Sequence, residues 1–162
     1  MGLIKKKNKT PKIIIGVITI AGLIVLLATV LITRQLETLE IPRTTTIKIG
    51  SQKIKAEIVT TPLAAYRGLS NRPTLGADEG MLFNFIDKQE REFVMREMNF
   101  PLDIIFIADD RIIKIAANLP PEGNDVVNIY SSGGPVNQVL EVNGGYCREK
   151  GINVGDQILL SK

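Results

Sequence analysis

Histidine and tryptophan are absent from this chain, and cysteine occurs once, at position 147. Without imidazole there can be no Ser-His-Asp or Cys-His catalysis, no His-ligated zinc or copper, and no haem held through histidine. One cysteine excludes an intrachain disulfide, so stability has to come from the core. Cys147 has no imidazole to activate it and reads as a small apolar filler. The missing tryptophan weakens any sugar-stacking surface, although Tyr66, Tyr130 and Tyr146 could partly replace it.

Charge is also missing, locally, from Ile13 to Ile32, where Thr19 and Thr29 supply the only side-chain hydrogen-bonding groups. Twenty helical residues rise about 30 Å, which matches the hydrocarbon thickness of a bilayer. Five lysines (Lys5, Lys6, Lys7, Lys9 and Lys12) precede the span, while Arg34, Glu37 and Glu40 follow it. That asymmetry predicts a single-pass cell-membrane protein with the N-terminus cytoplasmic and the rest extracytoplasmic. The span is longer than the apolar region of a cleavable signal peptide, and Ala28-Thr29-Val30 makes a poor cleavage site, so a retained signal anchor is expected.

The 20 Lys and Arg include six in the anchor region and the 17 Asp and Glu include two, so residues 41 onward carry about −1. The sequence pI of about 9.0 therefore reflects the topology signal and does not argue for nucleic-acid binding, which wants a basic face on the folded domain. The chain divides into a basic tail (1–12), a transmembrane helix (13–32), a juxtamembrane linker (33–43) and one domain (44–162).

Within that domain short alternating segments replace the apolar run. Thr46 to Ile49 and Lys53 to Val59 flank Gly50-Ser51 and predict a hairpin. Thr61-Pro62 is a good helix start, with Leu63, Tyr66 and Leu69 at three-residue spacing up to Gly68-Leu69. Strands are expected over Gly80 to Ile86, Glu92 to Met95, Asp103 to Ala108 and Arg111 to Ala116, with Asp109-Asp110 as a turn. Asn118 to Asn124 reads as a loop, Pro135 to Val142 as a strand, the segment to Lys150 as a short helix, and Gln157 to Leu160 as a last strand. This spacing predicts a mainly-β sandwich or partly closed barrel with one or two short helices. Met81, Phe83, Phe93, Met95 and Phe106 are expected in its core.

Several runs carry a resemblance: Arg67-Gly68-Leu69 through Arg72, Asp78-Glu79-Gly80-Met81-Leu82-Phe83, Phe93-x-Met95 and Pro101-Leu102-Asp103-Ile104-Ile105-Phe106. Tyr130-Ser131-Ser132-Gly133-Gly134-Pro135, Val139-Leu140-Glu141 and Gly151-Ile152-x-Val154-Gly155-Asp156 continue it. In order over nearly all of residues 46 to 160, the chain resembles the prokaryotic domain of unknown function 192 (DUF 192). The resemblance implies a compact, jelly-roll-like β-sandwich, frequently exported behind a signal or anchor, with no settled activity. Where relatives usually read Trp-Met-Lys-Asn-Thr after the Phe93 position, this chain has Val94-Met95-Arg96-Glu97-Met98, keeping the cation as Arg96 and losing the aromatic, amide and hydroxyl.

Candidate polar groups stand at the heads of apolar strands. Gly80 would allow a turn or a close approach, and Glu79 could accept a bidentate pair from Arg67 or Arg72 that clamps the helix to the sheet; the alternative is a carboxylate facing a ligand. Asp103 is expected to cap a turn by accepting backbone N–H groups. Ser131, Ser132, Gly133 and Gly134 have the composition of an anion-binding nest or a bulge, with a plain loop the blander reading. Arg96 and Glu97 would point to opposite faces of a strand, which leaves Arg96 as the ligand contact.

Two function classes follow. One is a non-catalytic envelope module binding a ligand or protein partner through Arg67, Arg72, Glu79, Arg96 and the Ser-Gly-Gly surface. The other is a carboxylate-dependent hydrolase acting on an envelope substrate, with Glu79 and Asp103 as acid and base, which needs both carboxyls in one open cleft. The carboxylates lack the tight spacing of a calcium loop, and neither a metal nor a cofactor is expected. The binding module is the favoured reading, because no spacing identifies a nucleophile.

Overall fold

The computed structural model describes residues 21–32 and 43–161, and the chain divides into two compact units, Met1–Ile41 and Pro42–Lys162. In the first unit, residues 21–32 form a helix, α1, whose Leu23, Ile24 and Leu31 side chains are exposed. The Thr29 hydroxyl donates to the Leu26 carbonyl at 2.8 Å, so the polar side chain is satisfied by the preceding turn. Among the described residues no helix is long and apolar enough to cross a membrane. Residues 13–20 of the expected span, the basic tail and residues 33–42 of the linker lie outside the described residues.

The second unit runs β1 (Thr44–Ile49), β2 (Gln52–Val59), α2 (Pro62–Arg67), β3 (Glu79–Phe93), β4 (Leu102–Ala108), β5 (Arg111–Leu119), β6 (Tyr130–Asn143), α3 (Tyr146–Lys150) and β7 (Ile158–Ser161). Its local signals act as the residues dictate. Ile49 pairs with Gln52 across Gly50-Ser51, where Gly50 takes φ 57°. Asp109 (φ 50°) and Asp110 (φ 62°) supply the two left-handed residues that a two-residue hairpin needs between Ala108 and Arg111. Thr61 caps α2 by accepting the Ala64 N–H at 3.1 Å, Pro62 opens the helix, and Gly68 closes it.

All seven strands join one sheet in the order β5-β4-β6-β3-β2-β1-β7. Pairing is antiparallel except between β2 and β3, which run parallel and are connected through α2. An isolated bridge, Arg111 to Gln157, ties the start of one edge strand to the residue before the other. The sheet is nonetheless not closed into a barrel; of the expected sandwich or partly closed barrel, the mainly-β architecture with few helices holds, and its seven strands form one sheet.

Side-chain alternation on β3, β4 and β6 feeds two cores, one on each face. Leu82, Ile105, Ile107, Leu140 and Val142 join Ile47, Ile54 and Ile158 of the flanking strands, with Tyr146 and Cys147 of α3. Met81, Phe83, Ile104, Phe106 and Val139 point the other way and are covered by Leu69, Met95 and Met98 from connecting segments. Burying one such Ile, Leu or Phe side chain is worth about 1.5–3 kcal/mol, so β4, buried at Leu102 to Ile107, is a principal anchor of the fold.

Three boundaries differ from the sequence reading. The strands expected at Gly80 to Ile86 and Glu92 to Met95 are one element, β3, whose register against β6 shifts between Asn84 and Gln89 and between Glu90 and Glu92. Those bulges erase the period-two pattern and hide the continuity. Val94 and Met95 then leave the strand, and the Met95 carbonyl accepts N–H groups from Met98 and Glu122. The Ser131 to Gly134 segment lies inside β6, with Ser131 opposite Glu92, and β5 continues to Leu119, past the Asn118 that was expected to open a loop.

Candidate functional site

Between α2, the outer half of β3 and the turn after it lies an open cleft of about 700 Å³. Its walls come from Tyr66, Arg67 and Gly68 on one side and Phe85, Arg91 and Phe93 on the other. Arg96 and Met98 contribute from the turn, and Glu141 reaches in from β6. The aromatic wall is rigid: Phe83 and Phe93 meet edge to face at 5.0 Å, and Phe93 meets Phe106 likewise at 6.0 Å.

Glu141 is the group this geometry singles out. It sits mid-strand, opposite Met81 on β3 and Ile104 on β4, and is only 5% exposed. Its Oε2 is buried and has no hydrogen-bond partner. Burial pushes its carboxyl up to about 8 against a smaller opposing pull from the positive charge of Arg72, so at neutral pH it is mostly protonated. Two glycines make room for it. Gly80 lets β3 approach so closely that a Cβ there would stand 2.7 Å from the Glu141 carbonyl oxygen, which accounts for the close approach expected at this glycine. Gly68, at φ 50°, has no side chain to come between α2 and the Oε2 atom.

The cleft arginines differ in what holds them. Arg96 lies over the Tyr66 ring at 4.3 Å and donates to the Tyr66 hydroxyl at 3.0 Å. Arg91 lies over Phe85 at 4.0 Å and is paired with the Asp87 carboxylate, while its buried Nε has no partner. Arg67 is exposed, and among the described residues no ion pair or hydrogen bond engages its side chain.

Of the ligand-binding candidates read from sequence, Arg67 and Arg96 line this cleft, beside Tyr66, whereas Arg72, Glu79 and Ser131 to Gly134 do not. Arg72 lies in the segment after α2 and pairs with Glu57 of β2 at 2.8 Å, so it ties that segment to the sheet, and the helix-to-sheet clamp expected through Glu79 is not formed. Glu79 is half exposed, accepts the Gly76 N–H at 3.3 Å and lies 3.9 Å from Lys55; it meets neither Arg67 nor Arg72. Asp103 is fully buried and does what a turn-capping aspartate does. It accepts backbone N–H groups from Asn118 (2.7 Å), Gly145 (2.8 Å) and Cys147 (2.8 Å), which pins β5 and α3 to β4. Asp103 is buried and engaged by three backbone donors while Glu79 is half exposed beside Lys55, so the structure does not bring the two into the one open cleft that an acid and base pair needs.

Ser131 to Gly134 fasten the irregular β3–β6 pairing and present no open nest. The Ser132 hydroxyl accepts from the Arg91 backbone at 3.0 Å and donates to the Gly134 carbonyl at 2.6 Å. Ser131 donates to Glu90 and accepts from the Gly133 N–H at 2.8 Å. Glu97 takes φ 56° in the turn and accepts from Asn71, so the strand geometry expected for Arg96 and Glu97 does not apply. The Cys147 thiol is buried, and burial together with the Asp103 carboxylate pushes it far above its ordinary range, leaving it inert.

Sequence reasoning passed over Glu141 and Arg91. A signal for Glu141 was present: one carboxylate inside the apolar run Val139 to Val142, in a strand long enough to be central. Arg91 lies within the bulged part of β3, where no pattern assigns a face.

The DUF192 family profile, described as an uncharacterized ACR, matches residues 44–160. A candidate transcription regulator from Sinorhizobium meliloti 1021, known from a crystal structure, superposes with a TM-score of 0.68 at 29% identity, covering 74% of this chain and 95% of its own. A protein of unknown function from Novosphingobium aromaticivorans DSM 12444 superposes with a TM-score of 0.65 at 35% identity, covering 73% of this chain and 84% of its own. No curated protein matches the chain.

Proposed function

Since the chain belongs to the DUF192 family, whose description assigns no activity, we propose from the site itself that it is a non-catalytic ligand-binding module of the cell envelope. The observation that carries this reading is the buried, unpartnered Oε2 of Glu141 beside an open cleft edged by arginines. A buried polar atom without a partner costs about 1–3 kcal/mol, and a ligand that supplies the missing hydrogen bond recovers that cost as affinity. Ser70 lines the cleft but donates its hydroxyl to the Arg96 carbonyl at 2.9 Å and not to a base, so binding is favoured over covalent chemistry. The regulator description of the Sinorhizobium protein is not carried over, because residues 41 onward carry about −1 and offer no basic excess for nucleic acid.

The module is carried outside the cell by the anchor at residues 13–32, a reading supported by the uncharged span and the five-lysine flank. Protease added to intact spheroplasts should digest the domain, and full protection of residues 44–162 would contradict this topology.

Ala65 is exposed on α2 and lines the cleft, so Ala65→Trp fills it without disturbing the core. Native mass spectrometry of the full chain extracted from envelopes in mild detergent should show a retained small-molecule adduct that Ala65→Trp abolishes. A wild-type chain free of any adduct, or an adduct that survives the substitution, would contradict the reading.

A further inference from the structure

We propose that the cleft takes a zwitterion of the amino-acid or short-peptide class, its ammonium delivered to Glu141 and its carboxylate left at Arg67. This deepens the ligand-binding reading and rests on it.

The floor is the first argument. Oε2 of Glu141 lacks a donor, and Arg72, the cation acting on it through space, is committed to Glu57 at 2.8 Å. With no counter-charge the carboxyl is held mostly protonated; an ammonium, with three donors and a full positive charge in one small group, supplies that counter-charge, so the carboxyl releases its proton to solvent and accepts the ammonium hydrogen bond instead. Gly68 lies over Oε2 in van der Waals contact, a Cβ there standing 3.9 Å away, so the absence of a side chain keeps the cover over this atom thin.

The rim is the second. A bare amine would meet three arginines, but their charges are not equally available. Arg91 is paired with Asp87, and Arg96 is spent on the ring, hydroxyl and carbonyl of Tyr66. Arg67 directly precedes Gly68, lines the same cleft, is exposed, and has no partner among the described residues. On β3, Glu90 accepts from Ser131, and Glu92 completes the charged groups lining the cleft. A ligand with its amine inward and its acid outward satisfies Glu141 and Arg67 together, which neither a simple amine nor a simple acid does. Phe83, Phe93 and Met98 offer an apolar surface for its side chain.

Met98 lines the cleft and reports on occupancy. The full chain in detergent micelles, labelled with carbon-13 at its methionine methyls, is titrated with phenylalanine, with phenylalanine amide, which lacks the carboxylate, and with N-acetylphenylalanine, which lacks the ammonium. Phenylalanine should shift the Met98 methyl saturably and N-acetylphenylalanine should not. Glu141→Gln should weaken phenylalanine on the order of tenfold or more, the scale of a lost charge-assisted hydrogen bond. Arg67→Gln, at an exposed position that does not threaten folding, should weaken phenylalanine and leave the amide unchanged. If N-acetylphenylalanine binds as well as phenylalanine, or Glu141→Gln has no effect, the cleft stands as a ligand site and the zwitterion assignment falls. If none of the three moves Met98, the zwitterion assignment falls, and the ligand-binding reading is decided separately by the mass spectrum of the envelope-extracted chain.

Discussion

Gly68 ends α2 directly over Glu141: a Cβ on the glycine would stand 3.9 Å from the Oε2 of the glutamate and 3.8 Å from the Phe83 ring. The helix terminus and the buried acid thus meet at one opening. The space alone would tolerate alanine, but φ 50° with ψ −130° is a backbone conformation for glycine. Gly68→Ala is therefore expected to cost about 1–3 kcal/mol in denaturant unfolding, through backbone strain and not through a clash. An unchanged midpoint would show that the α2 terminus relaxes freely.

Glu141 gives stability a pH dependence of definite sign. Its folded-state pKa of about 8 lies above the ordinary 4.5, so between those values the folded chain holds a proton that the unfolded chain has released. The contribution is fully present below pH 4.5 and falls by about 1.4 kcal/mol per pH unit as pH rises toward 8. Glu122 acts in the opposite sense: burial works to raise its pKa, but the Asn128 side chain and the Val127 and Asn128 N–H groups together hold it below 4.5. Its contribution is present at neutral pH and is lost on acidification. Glu141→Gln should remove the loss of stability between pH 5 and 8 measured by urea unfolding, and an identical slope in both proteins would rule out a buried neutral Glu141.

Asp103 holds three backbone donors, and Asp103→Ala would leave those buried N–H groups unmatched. An expected loss of about 3–5 kcal/mol, the scale of breaking a buried charged network, is measurable by chemical denaturation. A change below about 1 kcal/mol, the worth of a single hydrogen bond, would mean that water replaces the carboxylate.

Arg72, in the segment between α2 and β3, is tied to the sheet through Glu57 of β2. Both side chains are partly exposed (39% and 25%), so a double-mutant cycle should give a coupling of under about 1 kcal/mol. Removing Arg72 should also raise the Glu141 pKa further, because it withdraws the charge that opposes burial. Arg67 and Glu79 should show no coupling, and a cycle linking them would overturn the placement of Glu79 beside Lys55.

The sequence made some of these features legible because their causes are local. Thr61-Pro62, Gly50-Ser51 and Asp109-Asp110 encode a cap and two turns within four residues each, and the structure uses all three. Asp103 was readable as a capping group for the same reason, although its donors come from as far away as Cys147. The long β3 was not readable, since its two register shifts break the alternation that marks a strand. The single sheet was hidden too, because short strands with frequent turns are written alike in one sheet or two. The site was half visible. Arg67 and Arg96 stand out as charges beside turns, whereas Glu141 becomes special only when β3 and β4 flank it and Gly68 arrives from a distant segment. Which carboxylate meets Arg72 is likewise a matter of sheet order: β2 lies beside β3, so Glu57 and not Glu79 receives it.

The state of Glu141 is the point on which the cleft, its vacant hydrogen bond and its choice of ligand all depend. Carbon-13 NMR of glutamate side-chain carboxyls in the full chain, followed from pH 4 to 10, tests it directly. One resonance, absent from Glu141→Gln, should titrate near pH 8. If the Glu141 resonance titrates near 4.5 instead, the carboxyl is already ionised and solvated at neutral pH, and the cleft floor holds no buried acid waiting for a partner.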